Sequence, residues 1–210
     1  MALPHKATLD PSKVEALTAW LPGRTWAAGA TSVTQVGSYR FDDPAGTVGI
    51  ETLLVRDAGG ALFQVPLTYR DAPLPGAEDA LVTTMEHSVL GPRWAYDGCV
   101  DPVAVQALIT AILTGGHEAG LEYDTDAGIE RREPTARVVG SGTAPAAVPD
   151  LAAVSAVDEA AETVVSAGPL VVTVRRRLDG PEPATEGAQT LYGTWPGTDR
   201  PVLLATVRPA

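Results

Sequence analysis

Between Ser32 and Asp97 the chain offers five extended runs separated by turn residues, and this succession limits its fold more than any other feature. Ser32–Phe41 ends at Asp42-Asp43-Pro44-Ala45-Gly46. Thr47–Asp57 ends at Gly59-Gly60, and Ala61–Asp71 follows directly, so these two runs form a β-hairpin. Ala80–Val89 and Arg93–Asp97 are joined by Leu90-Gly91-Pro92. Connections this short permit antiparallel neighbours only.

Helices flank the strands. Asp10 can cap a first helix with Pro11 at its opening position, Val14, Leu17 and Leu21 recur at helical spacing, and Pro22-Gly23 ends it. Asp101-Pro102 opens a second helix whose Val105, Leu108, Ile109 and Ile112 form an apolar face before Gly115-Gly116. That helix is apolar nearly all round, which predicts that it lies against the sheet. Residues 1–117 therefore read as an α+β layer.

Beyond residue 117 the pattern weakens. Gly140–Pro149 reads as a linker. Ala161–Ser166, Leu170–Arg177, Thr190–Thr194 and Val202–Val207 read as short strands, so residues 118–210 form a smaller β-rich part.

Pro66 interrupts the third run, Phe63-Gln64-Val65-Pro66-Leu67-Thr68-Tyr69-Arg70. Phe63, Val65, Leu67 and Tyr69 share one face, and Gln64, Pro66, Thr68 and Arg70 share the other. Proline donates nothing to a ladder, so this strand is expected at an edge or bulged, open to another chain.

Composition narrows the partners. A net charge of −11 and a pI near 4.6 repel phosphate backbones and anionic lipid, so neither nucleic acid nor a membrane surface is expected. No apolar leader and no run of about 20 apolar residues is present, and Cys99 is the only cysteine, which together predict a cytoplasmic protein without an internal disulfide. The Ala/Gly/Pro bias reads as a GC-rich bacterial genome.

Glu86-His87 is the most tempting chemical pair, but neighbours on a strand point to opposite faces, so they cannot cooperate directly. Glu51 lies in a strand apolar on both faces and needs a partner, for which Arg40, Arg70 and Arg93 are candidates. Glu51 and Glu86 could instead face each other as an acid/base pair of a glucan-acting enzyme. Trp94, Tyr96 and Tyr69 could form an aromatic platform for a saccharide, or simply fill the helix–sheet interface. The candidate binding residues are thus Glu51, Tyr69, Arg70, Glu86, His87, Trp94 and Tyr96.

No residue is assigned a catalytic or metal-ligating role, and no cofactor is expected. The histidines at 5, 87 and 117 stand in unrelated elements, and there is no Gly-x-x-x-x-Gly-Lys or Gly-x-Ser-x-Gly. Gly37, Gly46 and Gly49 read as turn glycines and Glu118–Asp126 as a solvated loop. Cys99, just ahead of a helix N-terminus, would have a lowered pKa, although a small core cysteine is the default.

Several strings together resemble one family. Phe41-Asp42-Asp43-Pro44 through Gly49-Ile50-Glu51-Thr52, Val65-Pro66-Leu67-Thr68-Tyr69-Arg70, Met85-Glu86-His87-Ser88-Val89-Leu90-Gly91, and Tyr96-Asp97-Gly98 with Asp101-Pro102 are similar to the N-terminal cap domain of actinobacterial maltokinases and related sugar kinases. The resemblance covers about residues 10–116. It implies a curved antiparallel sheet packed by one or two helices, in a domain that does not itself transfer phosphate. Farther on, Leu170–Leu178 is loosely similar to the kinase strand that carries the ATP-binding lysine, with Thr173 at the lysine position. The resemblance would make residues 118–210 a degenerate first-lobe remnant.

The catalytic-loop and magnesium-binding motifs of such kinases do not occur in the sequence, and phosphoryl transfer needs metal ligands and a phosphate clamp. The expectation is therefore a non-catalytic, free-standing cap-like protein of carbohydrate metabolism. It would bind or regulate a partner enzyme, a sugar kinase or a glucan enzyme, in maltose, trehalose, α-glucan or amino-sugar phosphorylation. The alternatives are a saccharide-binding protein using the concave sheet face, and the glucan-acting enzyme with its glutamate pair.

Overall fold

The computed structural model describes residues 8–125 and 128–210. A first sheet contains β1 (Leu9–Asp10), β2 (Val33–Phe41), β3 (Gly49–Asp57), β4 (Leu62–Arg70), β5 (Leu81–His87) and β6 (Gly91–Asp97) in the order β1-β5-β6-β4-β3-β2. All of its pairings are antiparallel. Helices α1 (Lys13–Trp20) and α2 (Pro102–Thr114) pack on its two faces. The fold is α+β and mostly strand, with the curved antiparallel sheet implied by the resemblance.

A two-stranded ribbon, β7 (Leu121–Thr125) with β8 (Gly128–Arg132), follows α2. The stretch expected as a solvated loop over Glu118–Asp126 thus contains a strand, and Asp126 itself, like His5, lies outside the described residues. The second sheet runs β10 (Ser155–Asp158), β11 (Glu162–Ala167), β12 (Leu170–Arg175), β14 (Val202–Pro209), β13 (Gln189–Thr194), β9 (Arg137–Gly140). Its core strands fall where the sequence predicts them. Two short strands, β9 and β10, had no alternation long enough to announce them.

Local chemistry explains the helix starts. Ser12, not Asp10, caps α1: its hydroxyl accepts from the Glu15 amide and the Glu15 carboxylate accepts from the Ser12 amide, a complete capping box. Asp10 instead belongs to β1 opposite Glu86. Asp101 caps α2 as expected, its carboxylate accepting from the Val103 amide with Pro102 at the first helical position.

Pro66 has a different role from the one expected. β4 is interior to the sheet: Leu67–Arg70 pair with β6, and Leu62–Tyr69 pair with β3. Past Leu67, β6 turns away, and the open flank is taken by the chain's own Arg176–Leu178. The Gln64 amide donates to Arg176 O at 2.9 Å and the Leu178 amide to Leu62 O at 2.8 Å. Pro66 stands where one neighbour stops and the other begins, the one place where a missing N–H costs nothing. The flank offered to another chain is therefore already filled.

The face of β4 that carries Gln64 and Thr68 is also buried. Gln64 Nε2 donates to Arg175 O and Leu204 O, both at 2.9 Å, and its Oε1 accepts from Tyr39 Oη, so this glutamine joins the two sheets. Around it a continuous apolar cluster takes Tyr39, Ile50 and Leu54 from the first sheet, Ile109 and Ile112 from α2, and Val165, Val172 and Val207 from the second sheet. A second cluster on the opposite face packs Leu17, Trp20, Leu21 and Trp26 on Leu53, Phe63, Val65 and Leu67.

Two glycines inside the expected linker are fixed by close approach. A Cβ on Gly140 would lie 2.0 Å from Ala111 O, and one on Gly142 would lie 2.0 Å from Leu113 O. The segment passes hard against the end of α2, and only glycine permits that distance. Gly37 and Gly49 lie within strands, Gly37 beside the bulge in β2. Of the three expected turn glycines, Gly46 alone sits in a turn, at φ 69°. Among the described residues no helix is long and apolar enough to cross a membrane.

Candidate functional site

Register decides which predicted residues meet. Tyr69 stands opposite Ala95, whereas Trp94 stands opposite Arg70 and Tyr96 opposite Thr68. Residues directly opposite share a face, so Tyr69 looks away from Trp94 and Tyr96. The three do not form one aromatic platform. Tyr69 lies on the α1 side, and Tyr96 is buried with its hydroxyl accepting from the Leu74 amide at 3.0 Å.

Glu51 does find a cation, but it is Lys13 rather than one of the arginines. Lys13 Nζ sits 2.5 Å from Glu51 Oε2, Tyr69 Oη donates to the same oxygen at 3.2 Å, and the ammonium lies 5.5 Å from the Tyr69 ring centroid. Burial, reinforced by the neighbouring Glu51 charge, pushes the Tyr69 phenol well above its ordinary range. This cluster ties the start of α1 to the sheet.

Arg70 is committed elsewhere. Its Nε and Nη2 donate to the two Asp101 oxygens at 2.7 and 2.8 Å, a bidentate pair that fixes the cap of α2. The hydrogen bonds to Asp101 raise the arginine further above its ordinary range.

Glu86 is exposed, paired in register with Asp10 and Pro92. From the row Glu51–Leu67–Asp97, Glu86 lies three strand spacings across and five residues along, about 20 Å in all, and on the opposite face. Two carboxylates that share a glycosidic bond lie within about 9.5 Å, so these cannot. His87 serves its own turn, with Nδ1 facing the amides of Val89 and Leu90 at 3.3 and 3.1 Å.

Cys99 is buried, and burial raises its thiol far above the ordinary value, the reverse of the lowering expected from the helix behind it. Among the described residues no group of three His, Cys, Asp or Glu side chains could hold a metal ion.

The most concentrated polar chemistry was not singled out in the sequence. Arg175-Arg176-Arg177 closes β12, and each guanidinium has fixed partners. Arg176 is fully buried. Its Nη2 lies 2.5 Å from Asp97 Oδ2, its Nε donates to Thr163 Oγ1 at 2.6 Å, and its guanidinium stacks 4.7 Å from the Trp26 ring. Thr163 in turn donates to Asp158 at 2.6 Å, and Trp26 Nε1 donates to the same carboxylate at 3.1 Å. Burial works against the Arg176 charge, and Asp97 overcomes it, holding the group above the usual arginine range.

The neighbours are equally engaged. Arg175 donates to the carbonyls of Leu203, Gly180 and Pro181, and Arg177 pairs with Asp179 and stacks on Phe63. Three consecutive arginines after an alternating apolar strand are the signal available in the sequence. The alternation places Arg176 with Val172 and Val174 on the inner side.

Among the described residues, grooves open on the surface at these places. One of about 710 Å³ runs over β9 and β13, with Arg137 bonded to Glu118 and Glu133 at its rim. Another of about 430 Å³ lies along α2, between the Asp42–Pro44 loop and Asp150-Leu151.

No curated protein matches the sequence. Among solved structures the chain is similar to glucosamine kinase in complex with glucosamine, ADP and inorganic phosphate, at 17% identity and TM-score 0.47. It is also similar to glucosamine kinase in crystal form A, at 16% and 0.46. Each comparison covers 95% of this chain and 41% of the other, so the chain spans about two fifths of the length of those structures. The stretch from Trp20 to Asp101, which contains β2 to β6, matches the family described as the maltokinase N-terminal cap domain. The resemblance carried by the strand motifs therefore holds for this part of the chain: residues 20–101 are similar throughout to the maltokinase N-terminal cap domain.

Proposed function

We propose that this chain is a kinase-associated, cap-type module that binds or regulates a sugar-phosphorylating enzyme and does not transfer phosphate itself. The observation that carries the reading is the match of residues 20–101 to the maltokinase cap domain. The commitment of five of the fifteen lysines and arginines supports it. Phosphoryl transfer needs a clamp of available positive charge on the phosphates. Here Lys13 serves Glu51, Arg70 serves Asp101, and Arg175, Arg176 and Arg177 serve carbonyls, Asp97 and Asp179. In this reading residues 118–210 are a first-lobe-like remnant, with Thr173 on β12 where a kinase would place its ATP-binding lysine; a threonine there holds no charge for a phosphate.

The test has two arms. Purified protein given ATP with maltose or glucosamine should show no sugar-dependent turnover, while immobilised protein should retain a sugar kinase from its native host. Turnover at an ordinary enzymatic rate, about 1 s⁻¹ or more, overturns the non-catalytic part. Failure to retain any kinase under gentle conditions overturns the partner.

A further inference from the structure

Strand register sets the floor of the groove over β9 and β13. His117 bridges to Val139, and Val139 stands opposite Tyr192, so an imidazole, an isopropyl group and a phenol form one row across three adjacent segments. Arg137 and Thr194, the next pair on that face, stand two residues along. Their chain neighbours Val138 and Leu191 are buried in the core, so the row faces outward. Val139 is 45% exposed there, a large apolar side chain left open to solvent. At about 4.8 Å per strand the row spans roughly 10 Å, about the length of a disaccharide.

The polar groups around this floor are held in place. The Glu118 side chain is only 5% exposed; its Oε2 accepts from the Val138 amide at 2.8 Å and its Oε1 from Arg137 Nη1 at 3.0 Å. Arg137 Nη2 reaches Glu133 on the other side, so the guanidinium is oriented by two carboxylates. His117 Nδ1 lies 3.2 Å from Val138 O. A carbonyl only accepts, so Nδ1 carries the proton and Nε2 of the neutral ring is an acceptor. The hydroxyl-bearing side chains of Tyr192 and Thr194 complete the lining. One guanidinium stands against two carboxylates, so the groove does not attract an anion.

We propose that this groove binds an uncharged polyhydroxylated ring, a mono- or disaccharide, with an apolar ring face on Val139 and Tyr192 and its hydroxyls shared among His117 Nε2, Arg137 and Thr194. A sugar hydroxyl both donates and accepts, which matches an imidazole acceptor set beside guanidinium and hydroxyl donors. A few fixed polar groups over an apolar floor orient a small ligand, and about 710 Å³ is the size of an ordinary ligand site. The groove lies on the second sheet, whereas Tyr69, Trp94 and Tyr96 belong to the first. It does not depend on the kinase-partner reading and stands if that reading fails.

The probe is maltose titrated into the full chain and followed in amide proton–nitrogen spectra. Saturable shifts should appear at residues 117–120, 137–139 and 192–194, with a Kd of about 1 mM. Glycerol at the same concentration should leave those amides in place, and glucose 6-phosphate should bind at least about tenfold more weakly than glucose. Val139→Glu, at an exposed position, should weaken maltose at least about tenfold with the thermal midpoint unchanged, and Tyr192→Ala should do the same by removing the ring. No saturable shift at these amides up to about 100 mM sugar overturns the proposal. So do equal shifts with glycerol, tighter binding of the phosphorylated sugar, or maltose binding that survives Val139→Glu.

Discussion

The two faces of the first sheet are covered in different ways. On the α1 side the cover is local: Leu17, Trp20, Leu21 and Trp26 close over Leu53, Val55, Phe63, Val65 and Leu67, all from the first third of the chain. On the α2 side Tyr39, Ile50 and Leu54 meet not only α2 but Val165, Val172, Val174, Ala205 and Val207, residues more than a hundred positions away. Gln64 and Arg176 join the two sheets through buried polar contacts across the same seam. The contrast teaches that the cap-like stretch supplies the apolar cover of one face from its own sequence and shares that of the other with residues 118–210, which reach the first face through Asp158 and Arg176 at Trp26 and Arg177 at Phe63.

The largest expected effect tests the shared side. Asp97→Ala leaves Arg176 buried without its counter-charge, a change worth about 3–5 kcal/mol, or roughly 10 °C in thermal midpoint for a chain of this size. Hydrogen exchange should show protection lost together in β4, α2, β12 and β14. Loss confined to the second sheet would break the comparison, because the seam would then not couple the halves. Replacing both partners, Asp97→Leu with Arg176→Met, should recover most of the midpoint, as apolar substitutes for buried ion pairs often do.

Leu17→Ala tests the local side and should cost somewhat less, about 3 kcal/mol, through the cavity left under α1. Its signature differs from the first. Protection should fall in α1 and along the inner side of β3 and β4, while α2 and the second sheet keep theirs. Uniform loss across both sheets would mean that the two faces unfold as one unit and that the asymmetry has no energetic content.

The same asymmetry explains what could be read from the sequence. Strands β2 to β6 and helix α2 are marked by turns, caps and alternation, which are local signals, and the structure places them close to the expected bounds. The residues that hold the seam carry no local mark. Gln64 and Thr68 alternate with apolar neighbours and so look like a wet face, yet both are buried, and Gln64 is bonded to Arg175 and Leu204, far along the chain. Pro66 signals a break in pairing correctly, but the segment that fills the break lies a hundred residues on. Among the candidate site residues, opposite-face placement of Glu86 and His87 follows from strand geometry. The separation of Tyr69 from Trp94 depends on a register between β4 and β6 that the sequence does not state.

The smallest effect belongs to the loop at the mouth of the α2 side. Burial alone would raise the Asp43 carboxyl. The amides of Val48, Ala45 and Thr47 and the Thr47 hydroxyl outweigh it and hold the group below the ordinary aspartate value of 3.8. A carboxylate whose pKa is depressed by folding contributes stability that is present above its unfolded value and is lost as pH falls through the folded one. Asp43→Asn removes that contribution and turns an amide N–H₂ toward backbone donors, so it should cost about 1–2 kcal/mol at pH 7. The difference from the parent should shrink as pH drops from 5 toward 2, measured as urea midpoints. A difference that stays constant across that range would show that the loop is held by its turn geometry and not by the charge. The rim of the α2 groove would then be set by backbone shape alone, and the shared face would extend no farther than the seam itself.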